Sequence, residues 1–497
     1  MVSSFPKRIV MSFVKKFLKT EVPRAELAYL ANLDHLLARE PLIGKAILDE
    51  YHAQSGSLKM IASENYSSIY VQLAMANLFT DKYAEGFVGH RFYAGCDNVD
   101  SIERLAEERA KKIFHMPYAY VQPHSGADAN MVAFMAILHK RIEEPFLMHL
   151  GLKNANSLGE ADFEHLRQKM VNQKLLGMSL DAGGHLTHGS KMNISSKLFR
   201  ALSYSVDPKT QLLDYKAIEQ VAVRERPLVL LAGYSAYPRM IDFSIMREIS
   251  DKAGATLMVD MAHFAGLVAG GAVTGNYSPV GFADIITSTT HKTLRGPRGG
   301  LILSTEEYAP FVQRGCPFIL GGPLENIIAA KAVAFHEALS PSFADYAKQI
   351  IANAKAFADA LLRCGFQLTT GGTDNHLVIV DIAATHRLTG MQGERLLSSA
   401  GITVNRNSIP FDVMGPWFTS GIRFGTAALT TRGMKEGEMD TIANIVRDLF
   451  GDASGQSDSK SGIRIEESRL AFHRQRIKEL LENFPLYATL KLEGVLL

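Results

Sequence analysis

Short apolar runs alternate with a helical pattern in the middle of this chain, and this alternation constrains the fold most. Residues 227–232, 255–259 and 285–290 are continuous apolar or β-branched stretches, as expected of strands buried on both faces. Between the first two, residues 242–250 have the spacing of an amphipathic helix, with Asp242 as a capping residue and Gly254 as a stop. We therefore predict an α/β fold with a mostly parallel sheet wrapped by helices.

Polar residues stand just past the ends of these predicted strands. They are Ser235, Asp260 and Lys292, and the glycine-rich stretch 295–300 follows the lysine immediately. Because ligands bind outside the carboxyl ends of parallel strands, we expect these three side chains to share one crevice. A lysine beside backbone that a ligand can approach closely is suited to a Schiff base. A carboxylate at the neighbouring strand end would keep the nitrogen of pyridoxal phosphate (PLP) protonated, so the pair predicts a PLP site.

A second candidate anchor lies upstream, where Ser125 and Gly126 precede a helical pattern over residues 131–138. A helix N-terminus offers free backbone N–H groups and suits a phosphate group. Ser125 is equally suited to be a simple N-cap. The turn at Gly321 and Gly322 is either a further phosphate contact or an ordinary loop.

An arginine and two histidines also attract attention. Arg423 lies in an apolar, β-like stretch and needs a carboxylate partner, either an internal acid or the α-carboxylate of a substrate. The sequence leaves both partners open. His185 and His188 lie between glycines, without the helix and glutamate of a zinc motif, so we predict no metal site. Residues 83–93 form a polar and aromatic loop suited to an active-site wall.

Composition narrows the class of protein. The 497 residues are 47% hydrophobic, which is enough for two or more cores, and the net charge of +2 gives no pull toward nucleic acid or membrane. Cys96, Cys316 and Cys364 are widely spaced, which argues against a disulfide framework and favours a cytoplasmic protein. Residues 1–20 are basic and amphipathic. They suit a transit peptide, a membrane-surface helix, or an arm that packs on the protein or on a partner subunit.

Longer motifs, in chain order, resemble the serine hydroxymethyltransferase family. The likeness runs from about residue 40 to the C-terminus and is carried by residues 62–66, 82–86, 122–126, 183–189, 259–263, 289–294, 371–376 and 420–423. It implies a PLP fold type I large domain over 41–330, a smaller α+β domain over 331–497 and an N-terminal arm over 1–40. Residues 1–20 and 141–172 look like additions to the family pattern. Residues 451–462 are predicted to be a flexible linker before a C-terminal amphipathic helix.

The resemblance implies roles for individual residues around the cofactor. Lys292 would form the Schiff base, Asp260 would pair with the pyridine nitrogen, and His185 would stack on the ring. Ser235 and His263 would face the phenolic oxygen. Together with Glu85 and His291, Lys292 and Asp260 would make up the catalytic set. Ser125 and Gly126 would hold the phosphate. Three residues of a second subunit would also contact it: Gly321, Gly322 and Tyr83.

The substrate groups are assigned in the same way. Arg423, Ser63 and Tyr93 would bind the amino-acid carboxylate, and Glu85 would move protons at the serine hydroxyl and the folate. The tetrahydrofolate site would be lined by Leu180, Leu186 and Asn407.

The resemblance implies reversible transfer of the serine hydroxymethyl carbon to tetrahydrofolate, giving glycine and 5,10-methylenetetrahydrofolate. This is a step of one-carbon metabolism and amino-acid biosynthesis, and the expected assembly is a homodimer or homotetramer without nucleic-acid or membrane partners. Two alternatives are a threonine-aldolase-like or racemase activity without folate, and a non-catalytic scaffold with this fold. The matches at Leu180, Leu186 and Asn407 argue against the first, and the set Lys292, Asp260 and Arg423 argues against the second.

Three positions depart from the family pattern. Phe92 stands where a second tyrosine is usual, which removes a phenol near the substrate. Ala127 replaces a serine near the phosphate, and Leu320 precedes Gly321 where the approach is usually more polar. None of these departures affects the lysine, the aspartate or the arginine.

Overall fold

A computed structural model describes residues 24–455 and 459–488. The chain has the predicted α/β architecture, with a large, mostly parallel sheet and helices around it. The basic segment 1–20 lies outside the described residues. In the described part of the chain, no helix combines the length and the apolar character needed to cross a bilayer.

The large sheet has seven strands in the spatial order β1-β7-β6-β5-β4-β2-β3. Strands β2 to β6 run parallel, and β7 pairs antiparallel with both β6 and β1. Gly233 lies opposite Asp260, and Asp260 lies opposite Thr287, so the carboxyl ends of three neighbouring strands coincide. The strands are β1 (Tyr118–Tyr120), β2 (Lys174–Met178), β3 (Arg200–Tyr204), β4 (Val229–Gly233), β5 (Thr256–Asp260), β6 (Ile285–Thr289) and β7 (Gly300–Ser304).

The three strands predicted from the sequence are β4, β5 and β6, and every residue in them is buried. Their continuous apolar pattern is explained by helices that cover both faces of the sheet. The predicted helix is also confirmed. It spans Phe243–Ala253, the Asp242 carboxylate accepts the amide N–H groups of Ser244 and Ile245, and Gly254 ends it with φ of 69°.

Helices of ten or more residues provide most of the covering layers. Within the described ranges they are α1 (Arg24–Arg39), α2 (Pro41–Ser55), α3 (Asp97–Phe114), α4 (Gly126–Leu138), α5 (Glu160–Val171), α6 (Tyr215–Glu225), α7 (Phe243–Ala253), α8 (Glu325–Ala338), α9 (Pro341–Arg363), α10 (Gly390–Ala400), α11 (Glu436–Gly451) and α12 (Glu467–Glu482). Shorter helices lie at Ile69–Leu73, Glu144–His149, Ser195–Leu198, Ala265–Ala269, Ala309–Val312, Gly315–Phe318, Ile382–His386, Gly415–Phe418 and Ala427–Thr431.

A second, smaller sheet is antiparallel and has its own core. Its strands are β8 (Gln367–Leu368), β9 (Leu377–Asp381), β10 (Asn405–Asn407) and β11 (Gly421–Gly425), in the spatial order β8-β9-β11-β10. Helix α8 runs across residue 330, where the sequence places the domain boundary. Its residues Ile328, Ala332, Phe335 and Ala338 pack in the first core, which belongs to the large sheet. The change between the cores falls inside α9, since Ile350 belongs to the first core and Ala354 to the second.

The described parts of the predicted linker, residues 451–455 and 459–462, form more hydrogen bonds than a flexible linker would. Ser454–Gly455 pairs antiparallel with Ile463–Arg464, and the Gln392 side-chain amide donates to the carbonyls of Ser459 and Gly462. These hydrogen bonds satisfy backbone groups of the segment. From its Ser- and Gly-rich composition alone, we expected those groups to face solvent. The amphipathic helix predicted to follow is α12.

Candidate active site

The carboxyl ends of β4, β5 and β6 open into a cavity of about 390 Å³. Helix α4 contributes its N-terminus, and β11 of the smaller sheet contributes Arg423. Ten of the residues that the sequence singled out line this cavity: Ser63, Ser125, Gly126, His185, Ser235, Asp260, His263, His291, Lys292 and Arg423.

Lys292 lies three residues beyond the end of β6, and its backbone carbonyl accepts a hydrogen bond from the Asn65 amide at 3.0 Å. Burial lowers the pKa of Lys292 to about 8; the Asp260 carboxylate opposes this shift, whereas Arg423 and Arg298 add to it. An amine with such a pKa is partly neutral near physiological pH and can act as a nucleophile.

Lys331 is a buried lysine of a different kind. Its ammonium group donates to the backbone carbonyls of Val121, Pro123 and Gly300 at 2.5, 2.9 and 2.9 Å. These three bonds use all of its donors and tie β7 to the segment before Ser125. Lys331 is therefore structural, which leaves Lys292 as the lysine presented to the cavity.

Asp260 ends β5 and is held by three groups. Its carboxylate accepts from the Asn130 side-chain amide at 2.9 Å, from His188 Nε2 at 3.4 Å and from the Ala262 amide at 3.0 Å. Burial acts to raise the pKa of Asp260, but the hydrogen bonds from His188 and Asn130, together with the nearby imidazoles of His188 and His185, hold the pKa well below its usual range. The group is thus an ionised carboxylate in a buried place, which suits a cationic partner.

The N-terminus of α4 confirms the N-cap alternative for Ser125. Its hydroxyl accepts the Asp128 amide N–H at 3.1 Å and donates to the Asp128 carboxylate at 2.9 Å. The amides of Gly126 and Ala127 occupy the first two helical positions, which have no partner within a helix, and both residues line the cavity. A Cβ at residue 126 would lie 2.6 Å from Thr289 Cγ2, so this close approach requires glycine.

These groups fit PLP. A nucleophilic amine, an ionised carboxylate and a helix N-terminus match the aldehyde, the protonated pyridine nitrogen and the phosphate of that cofactor. His185, His188 and Asp260 also bring one potential metal ligand each within 4.8 Å of one another. Two of the three hydrogen bonds to Asp260 end on Oδ2 and only one on Oδ1, so Oδ1 keeps a lone pair for a pyridinium N–H.

The histidines of the cavity are neutral. Burial lowers the pKa of His185 to about 4, and the Thr187 amide donates to its Nδ1 at 3.3 Å, so Nε2 carries the proton. Burial, with help from Lys292 and Arg423, holds the pKa of His263 well below its usual value. His263 Nδ1 lies 3.4 Å from Nε2 of His376, which is fully buried.

Arg423 has no carboxylate partner among the described residues. Its guanidinium donates to the Ser235 carbonyl at 2.6 Å and to Asn405 Oδ1 at 3.2 Å. Both acceptors are neutral, although only 9% of Arg423 is exposed. Burial lowers the pKa of Arg423 to about 10, which still leaves it charged at neutral pH. A buried cation that faces a cavity without an internal acid is suited to an anionic substrate group.

Tyr83, Glu85, Tyr93, Gly321 and Gly322, which the sequence also singled out, lie near one another but outside the lining of this cavity. The rings of Tyr83 and Tyr93 have centroids 4.9 Å apart, and a Cβ built at Gly322 would lie 3.5 Å from the Tyr83 ring. Glu85 raises the pKa of the Tyr93 phenol, after the larger effect of desolvation. Tyr83 and Tyr93 are 57% and 45% exposed, so this face offers aromatic surface to solvent. Gly321 precedes Gly322 in the same turn.

The three predicted folate residues also lie outside the cavity lining. Leu180 and Leu186 are about half exposed, at 47% and 51%, and Leu186 directly follows His185 of the cavity. Asn407 ends β10 and lies opposite Gly421 of β11, the strand that carries Arg423. Leu186 and Asn407 thus lie on or beside elements that carry cavity residues.

Asn130, His188 and Arg298 have contacts at the site that the sequence did not assign. Asn130 and His188 bind Asp260, and Arg298 lines the cavity. One signal was available for Asn130, since it is a polar residue in the otherwise apolar run of α4 and is 1% exposed. The hydrogen bonds of His188 depend on a turn whose shape the sequence does not predict.

Comparison with known proteins supports one family. The family model described as serine hydroxymethyltransferase matches residues 36–160 and 161–446. A serine hydroxymethyltransferase of Mycolicibacterium smegmatis is 53% identical over 94% of this chain and 95% of its own length. That of Treponema pallidum is 54% identical over 96% of this chain and 85% of its own length. That of Chlamydia trachomatis is 49% identical, with coverage of 96% and 97%.

Proposed function

The chain belongs to the serine hydroxymethyltransferase family, and we propose that it transfers the hydroxymethyl group of serine to tetrahydrofolate at the cavity around Lys292. The observation that carries this proposal is the joint presence of a desolvated lysine, an ionised buried carboxylate and an arginine without an internal acid. The first two suit PLP, and the third suits the α-carboxylate of an amino acid.

When bound, PLP supplies an electron-accepting ring that stabilises negative charge at the amino-acid Cα. Asp260 would keep the ring nitrogen protonated, because its carboxylate stays ionised while buried. His185 would lie against the ring as a neutral imidazole. Lys292 would hold the cofactor, and Arg423, helped by Ser63, would orient the substrate by its carboxylate.

Four further residues would complete the cofactor pocket. Ser235 and His263 line the cavity between Asp260 and Arg423 and would face the phenolic oxygen. Ser125 and Gly126 would hold the phosphate at the N-terminus of α4.

We propose that a second copy of the chain completes this site. In each chain the exposed rings of Tyr83 and Tyr93 lie together with the partly buried Glu85, Gly321 and Gly322. A twofold symmetric dimer can bring this group to the partner's cavity. Glu85 would then exchange protons with the serine hydroxyl of the partner's site. Leu180, Leu186 and Asn407 would border the folate at the rim.

Mixing two inactive variants tests this assembly. Lys292→Gln and Glu85→Gln are each expected to be inactive alone. When equal amounts are refolded together, half of the dimers are mixed, and each mixed dimer has one intact site if Glu85 serves the partner. About a quarter of the wild-type activity should return. If Glu85 served its own chain, every site would carry one defect and no activity would return.

We also propose that the protein is located in the cytoplasm. The described cysteines Cys96, Cys316 and Cys364 are all free, which fits the reducing cytoplasm.

The activity itself is tested with purified protein loaded with PLP. Serine should yield glycine and 5,10-methylenetetrahydrofolate only when tetrahydrofolate is present. Cleavage of threonine at the same rate without folate would instead favour an aldolase. Binding of PLP without turnover of either substrate would favour a scaffold.

A further inference from the structure

The strongest unassigned feature of the site is a buried chain of hydrogen bonds centred on Asn130. Its side-chain amide donates to Asp260 Oδ2 at 2.9 Å and to Thr187 Oγ1 at 2.8 Å. Its carbonyl oxygen accepts from Thr287 Oγ1 at 2.5 Å. All four residues are 7% exposed or less, so these bonds form away from bulk water. A single amide therefore connects α4, β5, β6 and the turn that carries His185.

The direction of each bond follows from the chemistry of the partners. The Asp260 carboxylate is ionised and can only accept, so both N–H groups of Asn130 are committed as donors. Thr187 Oγ1, which accepts one of them, lies 2.8 Å from His185 Nδ1. Because the Thr187 amide also donates to Nδ1, this nitrogen is an acceptor and the Thr187 hydroxyl donates to it. The chain thus runs from Thr287 through Asn130 and Thr187 to His185.

We propose that Asn130 is a positioning residue that couples the ring-nitrogen partner Asp260 to the ring-stacking residue His185. It fixes one carboxylate rotamer and one imidazole tautomer at the same time. The inference rests on the proposed function, because it assigns to these two residues the roles that PLP binding requires.

Helix α4 gives Asn130 a second connection to the cofactor. The phosphate seat at Ser125 and Gly126 is the N-terminus of the same helix, about one turn before Asn130. The helix therefore ties the phosphate seat, the ring carboxylate and the stacking imidazole into one rigid frame. A frame of this kind is preorganised for a ligand, because the conformational entropy of its side chains is lost during folding and not during binding.

The test measures PLP affinity of the apo-protein for Asn130→Ala, by equilibrium dialysis or fluorescence titration. Loss of one hydrogen bond to a charged group usually corresponds to about a ten- to hundredfold change, so the dissociation constant should rise by that factor. In the loaded variant kcat should fall, while KM for serine, which depends on Arg423, should stay within about twofold.

Asn353→Ala is the matched control. Asn353 is fully buried and also donates two hydrogen bonds, to Thr430 Oγ1 and to the Met434 carbonyl, but it lies in the smaller domain away from the cavity. This control should lose thermal stability with unchanged PLP affinity. If Asn130→Ala behaves like Asn353→Ala, with lower stability and wild-type affinity, Asn130 is only structural and the proposal is wrong.

A second pair of variants keeps the test decisive if Asn130→Ala does not fold. Thr187→Ser retains the hydroxyl and should bind PLP like wild type, whereas Thr187→Val removes it and should show a weaker form of the same defect. Equal affinities for the two would contradict the coupling to His185. A wild-type protein that fails to bind PLP would instead overturn the proposed function, so the two failures are distinguishable.

Discussion

Replacement of Arg423 by lysine should weaken serine binding without changing how PLP is held. Arg423 uses two of its five N–H donors on the Ser235 carbonyl and on Asn405, which leaves donors for a two-pronged bond to a carboxylate. A lysine can keep one of those bonds and loses the other. A hydrogen bond between charged groups contributes about 1.5–3 kcal/mol, so KM for serine should rise roughly ten- to 150-fold.

The assay is the serine dependence of folate-dependent turnover, with the absorbance spectrum of the loaded enzyme recorded in parallel. Arg432→Lys is the control, because Arg432 is equally buried and donates to the carbonyls of Phe484 and Ser55 far from the cavity. This control should change stability and leave KM unaltered. If Arg423→Lys keeps a wild-type KM, or if its cofactor spectrum collapses, Arg423 supports the fold and does not bind the substrate carboxylate.

Three further predictions concern the cofactor and the departures from the family pattern. Asp260→Asn should still bind some PLP but lose the long-wavelength absorbance that glycine and tetrahydrofolate produce together; undiminished absorbance and turnover would show that another group protonates the ring. The rate of PLP loading into apo-protein should rise with pH around a midpoint near 8, because the neutral amine of Lys292 is the reactive form. Arg423→Gln should move that midpoint upward, because it removes a cation near Lys292. A midpoint near 10 would contradict this. Phe92→Tyr restores the phenol usual in the family and should increase folate-dependent turnover relative to side reactions by roughly two- to tenfold; no gain would mean that the pocket has adapted to phenylalanine.

The sequence predicts three neighbouring strands of the large sheet, β4, β5 and β6, because they are continuous apolar or β-branched runs with polar residues just past their ends. In the structure, Gly233, Asp260 and Thr287 of these strands align at one edge of the sheet. The crevice shared by Ser235, Asp260 and Lys292 could therefore be predicted, and the structure places all three in one cavity.

Other features depend on contacts that no local pattern encodes. The hydrogen-bonded ordering of residues 459–462 comes from Gln392 and Thr389, which are about 70 positions away in the chain. The continuation of the first core into α9 likewise depends on packing against the large sheet. The sequence could not decide whether Arg423 pairs with an internal acid. That question is answered only by the positions of the carboxylates near Arg423 among the described residues.

The buried network of Asn130 illustrates the same limit. Its partners Thr187, Asp260 and Thr287 come from three separate segments, and the sequence singles out Asp260 without indicating that the other residues bind one another. Only the folded structure shows that these residues form one buried hydrogen-bond network at the cavity.

Borohydride reduction of the PLP-loaded protein, followed by peptide mapping, tests the central claim most directly. The label should be found on the peptide that contains Lys292, because this lysine lines the cavity. The peptide with Lys331, whose ammonium group is bound by three carbonyls, should stay unlabelled. Label on Lys331 or any other lysine, with none on Lys292, would contradict the assignment of this cavity as the PLP site.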